Sequence, residues 1–225
     1  GANISLTARD ALGIGHAVTT SGALTLTSTT GAINQTAATI TAGTVTGSSS
    51  GTTTLGQANN ITNLGPFTAT GFQLLNASAL NVSGAVTGGT GNTSLRAQAG
   101  NLSVGTGGSV AGNAVTLRAD AGAITQAAGT AVNATTLNVQ AANAVALNST
   151  ANQIATLSGA AFTSSLDINS GRAFTVASMI AATNGETVRL STAGGTGNSL
   201  TITAPITITG GAGVRPGTLR HEQAP

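Results

Sequence analysis

Cysteine is absent from this 225-residue chain, and so are lysine, tryptophan and tyrosine. Without cysteine there are no disulfides, no thiolate metal sites and no cysteine nucleophile. The aromatic residues are four phenylalanines. Charged residues make up 5% of the chain, against roughly 25% in an ordinary soluble domain. Seven arginines face five acids, for a formal net charge of +2. The isoelectric point near 11.2 therefore reflects how few groups titrate. The arginines at 9, 96, 118, 172, 189, 215 and 220 are scattered. They form no basic stripe and flank no aromatic platform, which argues against nucleic acid as a partner. No apolar run approaches the roughly 18 residues of a membrane span, so no membrane insertion is expected. The chain has no initiator methionine and no signal-peptide pattern. It opens inside a repeat and reads as a piece of a longer protein.

What is present is a long repeat. Residues 23–35 read ALTLTSTTGAINQ and residues 114–126 read AVTLRADAGAITQ, with seven of 13 positions identical at an offset of 91. Asn59, Ile61 and Leu64 match Asn152, Ile154 and Leu157 at an offset of 93. Leu80, Val82 and Val86 match Phe174, Val176 and Ile180 at 94, and Leu95 matches Leu190 at 95. The chain divides into a repeat tail (3–22), a repeat (23–112) and a second repeat (113–209). Internal periodicity of this kind governs the fold reading. Residues 210–225 leave the pattern. They are expected to be a linker or tail, with closure of the last coil or docking to a neighbour as alternatives.

Within each repeat, short runs alternate apolar and polar residues, as in Ile4-Ser5-Leu6-Thr7, Leu80-Asn81-Val82-Ser83 and Leu200-Thr201-Ile202-Thr203. Period-2 alternation marks strands with one buried face. Gly, Asn and Ser clusters interrupt the runs with turn chemistry. No segment holds a helical period. The anchors Leu6, Leu26, Val45, Leu64 and Val82 fall 18 to 20 residues apart, the length of one coil of a narrow solenoid. The expected fold is all-β, a parallel β-helix with 18–22 residues per coil, four or five coils per repeat and roughly 11 in all. At roughly 4.8 Å per coil the rod is about 50 Å long. Residues 1–209 form this one solenoid, and turn asparagines are expected to stack and bond coil to coil.

The runs Gly-Ala-Leu-Thr-Leu at 22–26, Ala-Gly-Ala-Ile at 121–124, Ala-Asn-Asn-Ile-x-x-Leu-x-x-Phe at 58–67 and Ala-Leu-Asn-Val-Ser-Gly-Ala-Val at 79–86 resemble the repeats of filamentous-haemagglutinin-like bacterial exoproteins. The resemblance covers about residues 3–209. It implies a right-handed parallel β-helix, export by two-partner secretion and an extracellular or cell-surface location. It further implies adhesion, aggregation, biofilm formation or display of a distal domain. The amino-terminal secretion domain of that family is not recognisable here. The piece resembles the shaft, which brings no catalytic residues. The expected partners are cell-surface or matrix glycans and proteins, and other copies through the solenoid ends.

The residues with chemical potential point the same way. Gly88-Gly89-Thr90-Gly91-Asn92 and Gly194-Gly195-Thr196-Gly197-Asn198 are similar to a calcium-binding nonapeptide. Thr93 and Ser199 stand where that motif needs aspartate, so these runs are expected to be turns. Gly47-Ser48-Ser49-Ser50-Gly51 matches the nucleophile elbow in letters only, since no helix follows. Asp10, Asp120, Asp167, Glu186 and Glu222 are the only acids. The pairs Arg9/Asp10, Arg118/Asp120 and Glu186/Arg189 read as solvated ion pairs, not as a glycosidase carboxylate pair. His16 and His221 lack ligand-spaced neighbours. No catalytic, cofactor-binding or metal site is expected, and the chain reads as a non-enzyme. Thr-x-Thr pairs recur at 25/27, 39/41, 44/46, 68/70, 201/203 and 207/209. Irregular spacing argues against a ranked array of the ice-binding kind. Ice or carbohydrate binding on a Thr/Asn-rich face is therefore the alternative to an adhesive shaft, as is a filament subunit that stacks head to tail.

Overall fold

The computed structural model describes residues 1–183, 186–209 and 220–223, with only the backbone described for 183, 208, 209 and 220–223. All regular structure among the described residues is strand, and every pairing is parallel. One register column runs without a break through Leu12, Ile33, Thr53, Phe72, Thr93, Val115, Leu137, Leu157, Val176 and Ile202. Each step along it is one coil, so the chain is a β-solenoid of about nine turns. The roughly 11 coils expected from the sequence are too many. Leu24, Val45, Leu64 and Val82 share one column, but Leu26 lies one column over and pairs with Gly47. The step from Leu24 to Val45 is therefore 21 residues, and several coils beyond Val82 are longer still, 22 residues from Val82 to Val104 and from Val104 to Gln126 and 26 from Val176 to Ile202. Nine steps of about 4.8 Å make a rod about 43 Å long.

Alternation produces this fold because each coil presents its apolar positions inward. In Ala23–Ser28, Leu24 and Leu26 are fully buried while Thr25 and Thr27 stay partly exposed. The core is a single stack of aliphatic residues from Ile14 to Leu190 with Phe67, Phe72 and Phe174 among them. Phe67 and Phe72 meet at a ring-centroid distance of 4.8 Å. Gly47 makes room for this contact. It lies between Leu26 and Phe67 in register, and a Cβ there would stand 2.0 Å from the Leu26 carbonyl oxygen.

In cross-section the first coils have one long side and two short ones. Ile4–Ala8, Ala23–Ser28 and residues 44–49 stack as the long side. Leu12–Ile14 and Ile33–Gln35 form one short side, and Val18–Thr19 with residues 40–41 the other. In the fourth coil the arrangement inverts. The straight strand Phe72–Asn76 covers both Thr53–Leu55 and Asn59, erasing the corner between them. Meanwhile the long side 63–68 is covered by two short strands, Leu80–Val82 and Ala85–Thr87. Pro66 cannot continue the ladder because it lacks an N–H. Gly84 stacks on it so closely that a Cβ would lie 2.4 Å from the Pro66 nitrogen. A new corner therefore forms at 83–84.

The second repeat performs the same exchange. Ser165–Ser170 runs straight over Val145–Leu147, and Phe174–Val176 covers the start of 156–161. Each repeat is thus four and a half coils. Leu24 and its counterpart Val115 stand on opposite sides of the solenoid, because the Leu24 column reaches Val104 and then Gln126. After this second exchange the long side is back in its original column at Ser165–Ser170 and Thr187–Thr192. Arg220–Gln223 pairs with Thr187–Thr192, so part of the 210–225 stretch lies back on the sheet. Residues 210–219, 224 and 225 lie outside the described residues.

Candidate functional site

The buried amides Asn59, Asn76 and Asn152 lie where corners are exchanged. Gln35 and Asn59 are buried and bond reciprocally, Gln35 Nε2 to Asn59 Oδ1 at 2.7 Å and Asn59 Nδ2 to Gln35 Oε1 at 3.0 Å. Asn59 Oδ1 also accepts the Ile40 N–H at 2.8 Å, and its Nδ2 reaches the Leu55 and Leu75 carbonyls at 3.2 Å. The second repeat copies the set. Gln126 and Asn152 exchange bonds of 2.7 and 3.0 Å, Val132 N–H bonds to Asn152 Oδ1 at 2.7 Å, and Asn152 Nδ2 reaches the Leu147 and Asn169 carbonyls. One level on, Asn76 brackets the Ile61 N–H and C=O at 2.8 and 2.9 Å, and Ser170 does the same for Ile154 at 3.1 and 2.8 Å. These side chains satisfy backbone groups left unpaired where the ladder changes sides, as a buried backbone requires. Outside, Asn81 donates to Asn63 at 2.9 Å, a coil-to-coil bond between two strand residues rather than between the turn asparagines for which stacking was expected.

The ion pairs follow register more than sequence proximity. Asp120 is held by Arg118, as expected, and also by Arg96 from the preceding coil at 2.6 Å. Arg96 and Arg118 are register partners. Their guanidiniums, Arg96 first, hold the Asp120 carboxyl below its ordinary value against the opposing effect of burial. Arg189 reaches Asp167 at 3.8 Å, again its register partner. Asp10 accepts a bond from Thr30 Oγ1 at 2.9 Å. The sequence signal for such pairs was a spacing of one coil.

The remaining singled-out residues are placed as follows. The glycine runs are tight turns, closed by Gly91 N–H to Gly88 C=O at 2.8 Å and Asn198 N–H to Gly195 C=O at 3.3 Å. Ser49 is buried, donates to the Gly51 carbonyl at 2.7 Å and shares a bond with Thr53 Oγ1 at 2.8 Å. His16 is exposed. His221 falls opposite Leu190 in register. Hydroxyls do form ranks over the first three coils, contrary to the irregular spacing. Ser5, Thr25 and Thr46 align, as do Thr7, Thr27 and Ser48. Spacing hid them because Thr39 and Thr41 belong to a different side from Thr44 and Thr46. The first rank ends at Pro66, whereas the second runs on from Ser48 through Thr68 to Thr87 and ends at Ala111. Thr25 and Thr46 bond to each other at 3.2 Å.

Shallow grooves run along the rod where corners stack. One of about 460 Å³ is lined by Thr90, Asn113, Asn133, Thr135, Gln153 and Arg172, over a floor that includes Gly89 and Gly112. These side chains come from five consecutive coils. Asn133 Oδ1 is screened from solvent and has no hydrogen-bond partner. No group of three or more potential metal-ligating side chains occurs among the described residues. No helix among them is long and apolar enough to cross a membrane. Comparison with family models, with curated proteins and with solved structures finds no match to this chain.

Proposed function

We propose that the chain is a shaft segment of a secreted or cell-surface bacterial β-solenoid of the filamentous-haemagglutinin-like kind, acting in adhesion, aggregation or extracellular matrix. The observation that carries this reading is the duplicated corner exchange with its buried amide bracket. A unit that restores its own cross-section after two copies can be repeated to any length without accumulating mismatch. Such a device serves reach and rigidity. The low charge and hydroxyl-rich outer face suit a surface that meets glycans or proteins along its flank. Two-partner export and a place in biofilm belong to the same proposal. Its test is attachment. Beads coated with the purified chain are expected to bind cells or matrix above uncoated beads, and equal retention removes the adhesive role.

A second reading, a filament subunit, is favoured by one geometric fact. Thr187–Thr192, Leu200–Ile202 and Ile206–Thr209 stand in the same long, short, short order as Ile4–Ala8, Leu12–Ile14 and Val18–Thr19. A copy stacked head to tail meets matching sides, in a contact that propagates without closing. Arg220–Gln223 occupies the edge of Thr187–Thr192, and stacking exchanges that pairing for another. Negative-stain microscopy across a concentration series decides between the readings. Fibres one solenoid wide mean assembly, and rods of constant length about 43 Å mean an isolated segment.

A further inference from the structure

The two repeats share their buried bracket, but one outer corner has diverged. At repeat offsets of 91 to 94, Asn113, Asn133, Thr135, Gln153 and Arg172 correspond to Gly22, Thr41, Gly43, Asn60 and Ser78. The correspondence is anchored inside the fold, since Ile40 and Val132 bond to Asn59 and Asn152 in the same way, and Ala77 and Gly171 bond to the carbonyls of those asparagines at 2.6 Å. In the first repeat the outer residues are small, and Ser78 Oγ donates to Asn60 Oδ1 at 2.8 Å. In the second repeat every one of these positions carries a larger or more polar side chain. Gln153 and Arg172 are exposed, with no side-chain partner among the described residues, and the Asn133 carbonyl oxygen is unsatisfied. A common scaffold therefore holds a self-satisfied corner once and an open, hydrogen-bonding corner once.

We infer that this groove of the second repeat binds a linear acidic oligosaccharide, with Arg172 taking a sugar carboxylate and Asn113, Asn133 and Gln153 taking hydroxyls. The inference deepens the adhesive reading and rests on it for biological meaning. Amides both donate and accept, as sugar hydroxyls do. A guanidinium matches a carboxylate in bidentate geometry. The groove follows the rod axis, and its five coils span about 19 Å, room for about four hexose units. Glycines 89 and 112 let the chain lie close to the backbone. No aromatic side chain lines the groove, so stacking on a sugar face contributes nothing and charge decides between acidic and neutral chains. An Asn133 amide turned outward gains a partner for its oxygen.

The test is titration calorimetry of the whole chain with tetragalacturonate, and with cellotetraose as the neutral counterpart. Binding of the acidic tetramer is expected, with at least tenfold weaker binding of the neutral one. The variant N133T/Q153N/R172S installs the first repeat's own residues, so the scaffold already accommodates them, and circular dichroism checks that it is folded. It is expected to lose at least tenfold in affinity for tetragalacturonate. Should the triple variant fail to fold, R172S alone alters one exposed side chain and is expected to abolish the acidic preference. No binding by the parent chain, or equal binding by the variants, overturns the inference. The bead assay is independent: beads that attach through a chain blind to tetragalacturonate leave the adhesive reading standing and remove only the groove.

Discussion

Gln35 and Asn59 lie 24 residues apart and face each other inside the solenoid, sharing two hydrogen bonds of 2.7 and 3.0 Å. Gln126 and Asn152 repeat the arrangement with the same two distances. A buried amide pair is an odd choice for an aliphatic core unless backbone groups need it. Here they do, because Asn59 stands where a corner of one coil becomes the straight strand of the next. The pair ties the change of shape to one register.

Asn59→Ala takes one partner from the Ile40 N–H and from the Leu55 and Leu75 carbonyls, and leaves the Gln35 amide with only the Ala38 carbonyl and the Gln57 N–H. At about 1–3 kcal/mol for each unsatisfied buried group, partly relieved by relaxation, the expected loss is about 4 kcal/mol. Asn152→Ala should match it, while exposed Asn34→Ala should stay within about 0.5 kcal/mol. Urea unfolding midpoints measure all three. Equal midpoints would sink the bracket as a structural element.

Gly84→Ala adds a Cβ that would sit 2.4 Å from the Pro66 nitrogen. Proline cannot retreat by a rotamer change, so the coils must separate. Overpacking of this kind costs about 1–3 kcal/mol. Gly13→Ala, where a Cβ meets nothing within 4 Å, is the control. A melting temperature for Gly84→Ala equal to that of the control would contradict the proposed stacking.

Asp120 titrates below its ordinary value of 3.8, through Arg96 first and then Arg118. A depressed carboxyl pKa stabilises the fold above the unfolded value, and that contribution drains away as pH falls through the folded value. The side chains are 19% exposed for Asp120 and 38% and 39% for the arginines, so solvent screening holds the contribution to about 1 kcal/mol. Asp120→Asn should therefore lower stability by that amount at pH 7 and hardly at all at pH 2. Arg96→Gln should reproduce most of the effect. An identical penalty for Asp120→Asn at both pH values would assign it to packing.

Much of the fold was legible. Alternation in Ala23–Ser28 named the strand and its buried Leu24 and Leu26, and matching Gln35 with Gln126 and Asn59 with Asn152 marked the repeat. The coil count was not legible, because the anchors up to Val82 sample the shorter coils, while several later coils take 22 residues and the step from Val176 to Ile202 takes 26, lengthened by turns that no apolar anchor marks. The Arg96–Asp120 contact and the groove around Asn133, Gln153 and Arg172 were also hidden. Their members lie roughly one coil apart, and a coil varies from 19 to 22 residues over most of the rod, so neighbours across coils do not share a constant spacing.

The sequence by itself determined that the chain is all-β, that it coils, and that its repeat is about 91 residues, because burying every second side chain of a short strand leaves few other solutions. Only the tertiary structure decided that each repeat ends half a turn out of phase with the last. That phase depends on where Gly84 meets Pro66 and Asn59 meets Asn76, contacts between coils whose register is set by packing rather than by residue type. The same phase decides which polar side chains share a face, and so which of them can act together.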